Sequence, residues 1–288
     1  MTFQDSIASV NPKVIDDRRD QPARIYWRHG SKQQKAPGFF YGKASEFSEE
    51  PGAPWKATDL YNEAGFVATR LRLIPIAMRA TPFISRCEGG REIQKIWLPK
   101  WEKGAQIYNE LLCLQVEGLT DAPVVWVSKG LTGAAVSKAL KQYHQTLLRA
   151  GEKIAGRRLP AYTFWLTVRT EINDQRHIVY RDTGFGSLVT LPQLELPAAI
   201  DQAYIDQAFV GEDLLVFGEA IREQFDSWLK SRPGDDGQQA TNGNGNGNGA
   251  QTAAALQDIA ARGHATIDDA SAKDLGIFDT EAEIPWSE

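Results

Sequence analysis

The stretch Phe66-Val-Ala-Thr-Arg-Leu-Arg-Leu-Ile-Pro-Ile-Ala-Met78 decides the fold that the sequence predicts. Apolar residues alternate along it with polar or basic ones, which is the period of a β-strand with two different faces. Arg70 and Arg72 therefore lie on the face opposite the leucines. Pro75 is expected to bend or interrupt the strand, because it cannot donate a ladder hydrogen bond.

Further strands are predicted on both sides of a single helix. Before the helix, strand-like runs occupy residues 83–87, 92–98, 106–117 and 124–127, and a β-meander is their simplest arrangement. After it, strands are expected at 162–170 and 177–181, joined by a turn at Asn173-Asp174.

The helix is expected to begin after Gly130, with Thr132 as its N-terminal cap. Apolar residues recur from there at helical spacing as far as Gly151. Strands, one helix and a final hairpin follow one another in the order of an OB-fold, a small barrel that binds oligonucleotides across one face. Other small β-barrels share this order. We therefore predict a mainly β protein with accessory helices, built on an OB-fold-like barrel.

The chain divides into five segments by composition. They are an N-terminal arm with short strands (1–64), an OB-like core (65–190), accessory helices (191–232), a disordered Gly/Asn-rich linker (233–278) and an acidic tip (279–288). The accessory helices are expected at 199–207 and 211–230. Four Asn-Gly repeats from Asn242 to Gly249 predict the linker, because they have no apolar residues with which to build a core.

Charge is distributed unevenly among these segments. Residues 1–190 carry 27 basic and 19 acidic side chains (+8), residues 191–232 carry 3 and 8 (−5), and residues 233–288 carry 2 and 10 (−8). A basic body with an acidic tail often accompanies nucleic-acid binding, because the tail can compete with phosphate for the basic groove. A net charge of +8 over 190 residues is also common in proteins that bind no nucleic acid. Charge alone therefore does not decide whether this chain binds nucleic acid.

Several functional classes have no support in the sequence. Cys87 and Cys113 are the only cysteines, which favours a reducing cytoplasmic compartment. No apolar run is long enough to span a membrane, and the N-terminus lacks a signal pattern. Gly130-Leu-Thr-Gly133 with Lys129 could hold a phosphate, but a plain strand-to-helix turn is the simpler interpretation. Histidine spacing and motif searches give no metal or catalytic site, so we expect no enzyme, no metal and no cofactor.

Aromatic residues interleaved with basic ones are the positive signal in the body. Proteins hold single strands by stacking bases on aromatic rings while Arg and Lys neutralise the phosphates. Trp126 and Trp165 lie in apolar runs that predict burial, whereas Trp27, Trp97 and Trp101 have Pro, Lys or Arg neighbours and are better surface candidates. The candidate nucleic-acid-binding residues are Trp27, Arg28, Tyr41, Lys43, Arg70, Arg72, Lys95, Trp97, Lys100, Trp101, Lys129, Tyr180 and Arg181.

The last ten residues have the layout of a tethered peptide ligand. Its candidate partner-binding residues are Asp279, Glu281, Glu283, Ile284, Pro285 and Trp286. Apolar residues at a disordered end are useful only where a partner's pocket receives them, and acidic neighbours steer them toward a basic rim. The tip resembles that of bacterial single-stranded-DNA-binding proteins, which ends in Asp/Glu residues followed by Ile-Pro-Phe. In this chain Trp286 stands in place of Phe, and Ser287 and Glu288 follow it, so the α-carboxylate is no longer on the aromatic residue.

This resemblance implies a divergent single-stranded-DNA-binding protein of phage or plasmid type, whose tip recruits proteins of DNA replication, recombination or repair. The alternative is an adaptor with the same tip, whose body binds protein or double-stranded nucleic acid, and an enzyme acting on nucleic acid comes third. The sequence leaves open the oligomeric state, a homo-oligomer included, the size of the binding site and the choice between DNA and RNA. No membrane partner is expected.

Deleting residues 279–288 is expected to leave oligonucleotide binding intact or tighter, because the acidic tip competes for the basic groove. The same deletion should abolish partner recruitment, and Trp286→Ala should do so nearly as fully, since a buried aromatic anchor commonly contributes about 2 kcal/mol or more. Oligo-dT titration and a pull-down with full-length protein measure the two effects. A clear loss of oligonucleotide affinity on truncation would show that the tip belongs to the binding site.

Overall fold

In the part of the chain that the structure describes, ten strands form one mixed β-sheet, and helices pack on both of its faces. The computed structural model describes residues 22–60, 62–88, 91–117, 122–183 and 187–231. The strands are β1 (Ala23–Arg28), β2 (Phe39–Lys43), β3 (Lys56–Leu60), β4 (Glu63–Ala68), β5 (Arg70–Glu88), β6 (Arg91–Trp97), β7 (Gln106–Gln115), β8 (Val124–Lys129), β9 (Leu166–Thr170), β10 (Arg181–Asp182), β11 (Leu188–Val189) and β12 (Pro192–Glu195). The helices are α1 (Gly130–Tyr143), α2 (Arg149–Ala155), α3 (Gln202–Ala208), α4 (Glu212–Gln224) and α5 (Asp226–Lys230), with a π-helical segment (His144–Leu148) between α1 and α2.

Strand pairing in the described residues follows the order β12-β9-β5-β7-β8-β1-β2-β4-β3, with β6 paired to β5. β1 and β8 pair in parallel, and the other pairs of this sheet are antiparallel. Phe83 of β5 pairs with both Trp97 of β6 and Gln106 of β7, so β6 and β7 lie on opposite sides of β5. β10 and β11 form a separate two-stranded ribbon.

The expectation of a mainly β protein with accessory helices is confirmed. The described part of the sheet ends at β12 on one side and at β3 on the other, and no pairing among its strands closes it. The OB-fold-like barrel therefore stays unconfirmed. The simple meander is not observed either, because β7 pairs with β5 and not with β6, the strand that precedes it in the chain.

Residues 23–68 belong to the same sheet as the strands that follow them. β4 runs across position 65, at which we expected the arm to end and the core to begin. The ring of Phe40 in β2 lies 5.1 Å from that of Trp27 in β1 and 5.1 Å from that of Trp126 in β8. The short strands predicted in the arm are therefore integral parts of the core. The linker and tip lie outside the described residues.

The two central strands, β7 and β8, are buried on both faces. Leu111 and Cys113 of β7 pack in the cluster that contains α1, whereas Leu112 and Leu114 pack in the cluster that contains α4. We call these two sides of the sheet the α1 face and the α4 face. Burial on both faces is the physical reason why these strands are nearly continuous apolar runs instead of alternating.

The helix after β8 begins at Gly130, where the backbone has a φ of 56°. Lys129 occupies the N-cap position without a side-chain cap, and Thr132 is buried within the first turn, so the expected role of Thr132 as the cap is wrong. The left-handed Gly130 turns the chain directly from strand into helix, which starts the helix before Thr132 is reached. The helical path passes through Gly151, the expected end, and stops at Gly156.

Smaller expectations are also refined. The bend at Pro75 is present as a register shift between Pro75 and Ala77. The strand expected from residue 162 begins at Leu166, because residues 161–163 form a 3₁₀ turn. The second accessory helix is divided at Phe225 into α4 and α5.

Arg79 of β5 and Glu110 of β7 form a buried ion pair on the α4 face, with Arg79 Nε 2.9 Å from Glu110 Oε2. Arg24 of β1 approaches the other carboxylate oxygen to 3.6 Å. Arg79 also donates to the carbonyl of Trp228 at 2.8 Å and to Oγ of Ser231 at 2.7 Å, and its guanidinium lies 4.2 Å over the Trp228 ring. The pair therefore fastens α5 to the sheet.

Glu110→Gln is expected to lower the free energy of unfolding by about 3–5 kcal/mol, because Arg79 would remain buried without its counter-charge. Glu63→Gln is the matched control, since it breaks the exposed Lys43–Glu63 pair and should cost about 1 kcal/mol or less. Urea denaturation of both variants measures the difference. Equal small losses would show that the buried pair contributes no more than a surface pair.

Candidate nucleic-acid interface

The α4 face is covered by helices over only part of its width. α4 and α5 pack on β5, where Leu214, Ile221 and Phe225 are buried. Beside this covered region, six adjacent strands direct aromatic and basic side chains to the same face. We call this set the aromatic–basic stripe; it consists of Lys95 and Trp97 from β6, Phe83 from β5, Tyr108 from β7, Lys129 from β8, Tyr26 and Arg28 from β1, and Tyr41 from β2.

One end of the stripe is a cluster of three rings with two lysines above it. Trp97 and Tyr108 lie 5.3 Å apart and each packs against Phe83, at 5.6 Å and 6.1 Å between ring centroids. The ammonium of Lys95 lies 4.9 Å from the Tyr108 centroid, and that of Lys129 lies 5.9 Å from the Phe83 centroid. Both distances allow cation–π attraction. Phe83 and Tyr108 are buried and Trp97 is half-buried, whereas Lys95 is half-buried and Lys129 is exposed. The rings therefore form an apolar layer beneath the two ammonium groups.

The other end is a pair of tyrosines beneath an arginine. Tyr26 of β1 and Tyr41 of β2 are direct cross-strand partners, and the guanidinium carbon of Arg28 lies 5.9 Å and 5.5 Å from their ring centroids. Tyr41 is only 1% exposed. A Cβ at Gly65 of β4 would lie 2.6 Å from the Tyr41 ring. The ring therefore packs directly against the backbone of Gly65, where no side chain could be accommodated. Arg28 is therefore the outer layer at this end.

Two tyrosines of the stripe, Tyr26 and Tyr108, have a pKa above the ordinary value and are neutral at physiological pH. Burial raises the pKa of Tyr26, and the nearby carboxylate of Glu46 raises it further. Burial likewise raises the pKa of Tyr108, with Glu110 adding to the effect. No phenolate from these two residues opposes an anion, so the charge presented by the stripe is that of its arginine and lysines.

The stripe has the dimensions and chemistry of a surface for an extended polyanion. Six strands at the usual spacing of 4.7–4.9 Å span about 24 Å from β6 to β2, which is long enough for several nucleotides. Cations and aromatic rings occur together along this length, and single-stranded nucleic acids are bound by this combination.

The sheet brings several of the sequence-predicted residues together. Arg28, Tyr41, Lys95, Trp97 and Lys129 all belong to the stripe, although Tyr41 is buried and supports Arg28 instead of contacting solvent. Three further candidates lie at its ends. Lys43 follows Tyr41 on β2 and pairs with Glu63, and Lys100 and Trp101 lie in the loop that follows Trp97.

Trp27 is not a surface residue, contrary to expectation. Strand alternation directs it to the α1 face, where it is 6% exposed. Its indole Nε1 donates to the carbonyl of Thr190 at 2.8 Å. The neighbouring arginine, which made Trp27 look exposed in the sequence, points to the opposite face of the same strand.

Arg70 and Arg72 lie on the α4 face but at the far end of β5. Phe83 lies eleven positions after Arg72, which is about 35 Å along the strand. Arg70 pairs with Glu195 at 3.0 Å, and Arg72 pairs with Glu117. The two arginines are thus remote from the stripe and have carboxylate partners.

Tyr180 and Arg181 also lie apart from the stripe, at the β10–β11 ribbon. The hydroxyl of Tyr180 donates to the carbonyl of Ala36 at 3.1 Å. Arg181 Nε donates to the carboxylate of Glu171 at 3.1 Å. Both side chains hold the ribbon and the preceding loop against the body.

Sequence reasoning missed Tyr26, Phe83 and Tyr108. Alternation was a sufficient signal for Tyr26, because it lies two residues before Arg28 and so shares its face. Phe83 and Tyr108 resemble ordinary core residues in the sequence, and both are buried. Their place beneath Lys95 and Lys129 depends on the register of β5 with β6 and β7.

Comparison with known proteins identifies no relative of this chain: no family model, curated protein or solved structure matches it. Among the described residues, no cluster of three or more His, Cys, Asp or Glu side chains is placed to hold a metal ion. The helices of that same part of the chain include none long and apolar enough to cross a membrane.

Lys129→Ala is expected to reduce the salt dependence of oligo-dT binding by one phosphate contact, a change of about 0.7 in the slope of log K against log salt, because this exposed lysine lies on the stripe. Arg70→Ala is the matched control and should leave the slope unchanged, since Arg70 is paired with Glu195 outside the stripe. Fluorescence titrations between about 50 and 200 mM salt measure both slopes. The reverse ranking would place the phosphate contacts at the far end of β5.

Proposed function

We propose that this protein binds single-stranded DNA without sequence preference through the aromatic–basic stripe. One observation carries the proposal: three cations, Arg28, Lys95 and Lys129, each lie within 6 Å of an aromatic ring on one face of six adjacent strands. Phosphate charge and base planes are the two chemical features of a single strand, and the stripe presents a complementary group for each.

A single strand fits this surface better than a duplex. Sequence-independent contacts with a duplex need only cations along the phosphates, and base readout needs an element that enters a groove. The stripe instead lies within the surface of a sheet, and its partly exposed rings can reach only bases that are unpaired. An open sheet face is sufficient for this mode of binding, so the proposal does not depend on a closed OB-fold barrel.

We assign the recruitment of replication, recombination or repair proteins to the acidic tip at residues 279–288. The tip resembles the corresponding segment of bacterial single-stranded-DNA-binding proteins. The departure of the body from those proteins favours a phage or plasmid origin, and the presence of only two cysteines in the sequence favours a cytoplasmic location. Ser231, the last described residue, is bonded to Arg79 beside the stripe.

Titration of the full-length protein with oligo-dT tests the DNA-binding proposal. Quenching of tryptophan fluorescence is expected, because Trp97 lies half-buried on the stripe. Log K should fall linearly with log salt at about −0.7 per neutralised phosphate. An affinity that does not depend on salt should remain from stacking. No binding at about 50 mM salt would overturn the proposal and favour the adaptor, and equal affinity for a duplex would overturn the preference for single strands.

Trp97→Ala is expected to weaken oligo-dT binding by about 1–3 kcal/mol and to leave the salt slope unchanged, because it removes a stacking surface and no charge. Phe209→Ala is the matched control, since Phe209 is 40% exposed and packs on Phe164 in the cluster of the α1 face. It should bind like the parent. Thermal melting of both variants establishes that each remains folded, and a normal affinity in folded Trp97→Ala would remove Trp97 from the site.

A further inference from the structure

We infer that bound DNA extends beyond the aromatic–basic stripe, across β4 to the sheet edge at β3, where Lys56 neutralises a phosphate. This inference rests on the proposed function and enlarges the binding site that it assigns. The stripe ends at β2, and β4 and β3 follow β2 in the order of the sheet. Two further strands lengthen the surface by about 10 Å.

Strand register places Lys56 in one cross-strand row with two tyrosines of the stripe. Tyr26 of β1 pairs with Tyr41 of β2, and Tyr41 pairs with Val67 of β4. Val67 pairs in turn with Lys56 of β3. All three pairs are antiparallel, and residues directly opposite each other in such pairs lie on the same face of the sheet. Lys56 therefore lies on the α4 face, about 14 Å from β1, the strand that carries Arg28.

The charge of Lys56 is not neutralised by the carboxylates of these strands. Its side chain is exposed, and it forms no ion pair with another described residue. Glu63 of β4 pairs with Lys43 at 2.9 Å. Asp59 lies three positions after Lys56 on β3, so strand alternation directs it to the opposite face. Positive charge therefore continues on the α4 face beyond Arg28.

An aromatic ring lies between the two cations. Phe39 of β2 is the cross-strand partner of Arg28, and it shares the α4 face with Tyr41 because the two are two positions apart. Phe39 is half-buried, whereas Tyr41 is buried. The surface from β1 to β3 therefore combines a partly exposed ring with cations, as the rest of the stripe does. Single strands are bound by this combination.

A lysine on an edge strand can also have a purely structural role, because its charge discourages pairing with another chain. Among the described strands, β3 pairs with β4 alone. Protection of this edge requires a charge on β3 but no particular face of the sheet. A phosphate contact requires the α4 face, so moving the charge from one face to the other distinguishes the two roles.

Salt titrations of the full-length protein with an oligo-dT of about 16 nucleotides test the inference, because this length covers the usual range of site sizes. Lys56→Ala should lower the slope of log K against log salt by about 0.7, the value of one phosphate contact. Adding Thr58→Lys to this variant should restore the slope, since Thr58 shares the face of Lys56. Adding Ala57→Lys instead should leave the slope low, although the strand and the net charge are the same.

Thermal melting establishes that each variant is folded. Should Thr58→Lys melt well below the parent, Lys56→Gln replaces it, since this variant keeps a long polar side chain and loses only the charge. It should lower the slope like Lys56→Ala. Lys138→Ala is its matched control and should leave the slope unchanged, because Lys138 is an exposed lysine of α1, outside the stripe.

Two results would overturn the contact at Lys56 and leave the proposed function standing. One is oligo-dT binding by folded Lys56→Ala and Lys56→Gln with the slope of the parent. The other is restoration of the slope by Ala57→Lys as fully as by Thr58→Lys, which would show that only the charge of the strand matters. Absence of oligo-dT binding by the parent would overturn both the inference and the proposed function.

Discussion

The parallel pairing of β1 with β8 is the contact on which the rest of the molecule depends. It joins β1–β4, which precede residue 69, to the sheet formed by β5, β7, β8, β9 and β12. Ile25 and Trp126, partners in this pair, are both nearly inaccessible to solvent. A parallel pair needs a long connection, and this one spans almost a hundred residues of chain. Without it, Arg28 and Tyr26 would not lie beside Lys129 and Tyr108, and the stripe would be two unrelated patches.

The positions of helices α4 and α5 determine which part of the α4 face is not covered by helices. Arg79 and Glu110 hold α5 against β5 and β7, and the apolar side chains of α4 bury the neighbouring part of the sheet. A buried ion pair has a high desolvation cost, so it persists only where its geometry and additional hydrogen bonds are good. In this protein those additional bonds come from Trp228 and Ser231. The same interaction therefore anchors the helices and sets the border of the exposed aromatic–basic surface.

Local sequence patterns were sufficient to predict individual strands and the helix that follows β8. Alternation from Phe66 to Met78 predicted a strand with a break at Pro75, and the pattern after Gly130 predicted a helix, because both depend on neighbours a few residues apart. It also selected Arg28, Lys95, Trp97 and Lys129 as candidates, and the sheet places these four on one face. Local sequence failed for Trp27, since the polarity of adjacent residues says little about a side chain that points to the opposite face of a strand.

By itself, the sequence thus determined the mainly β class, the basic body with its acidic tail, and the supply of rings and cations. Only the tertiary structure decided which of them share a surface. Arg72 and Phe83 are on one strand and one face but about 35 Å apart, whereas Arg28 and Lys129 are a hundred residues apart in the chain and lie on adjacent strands. Strand register and helix cover are set by long-range burial, which no short window of sequence contains.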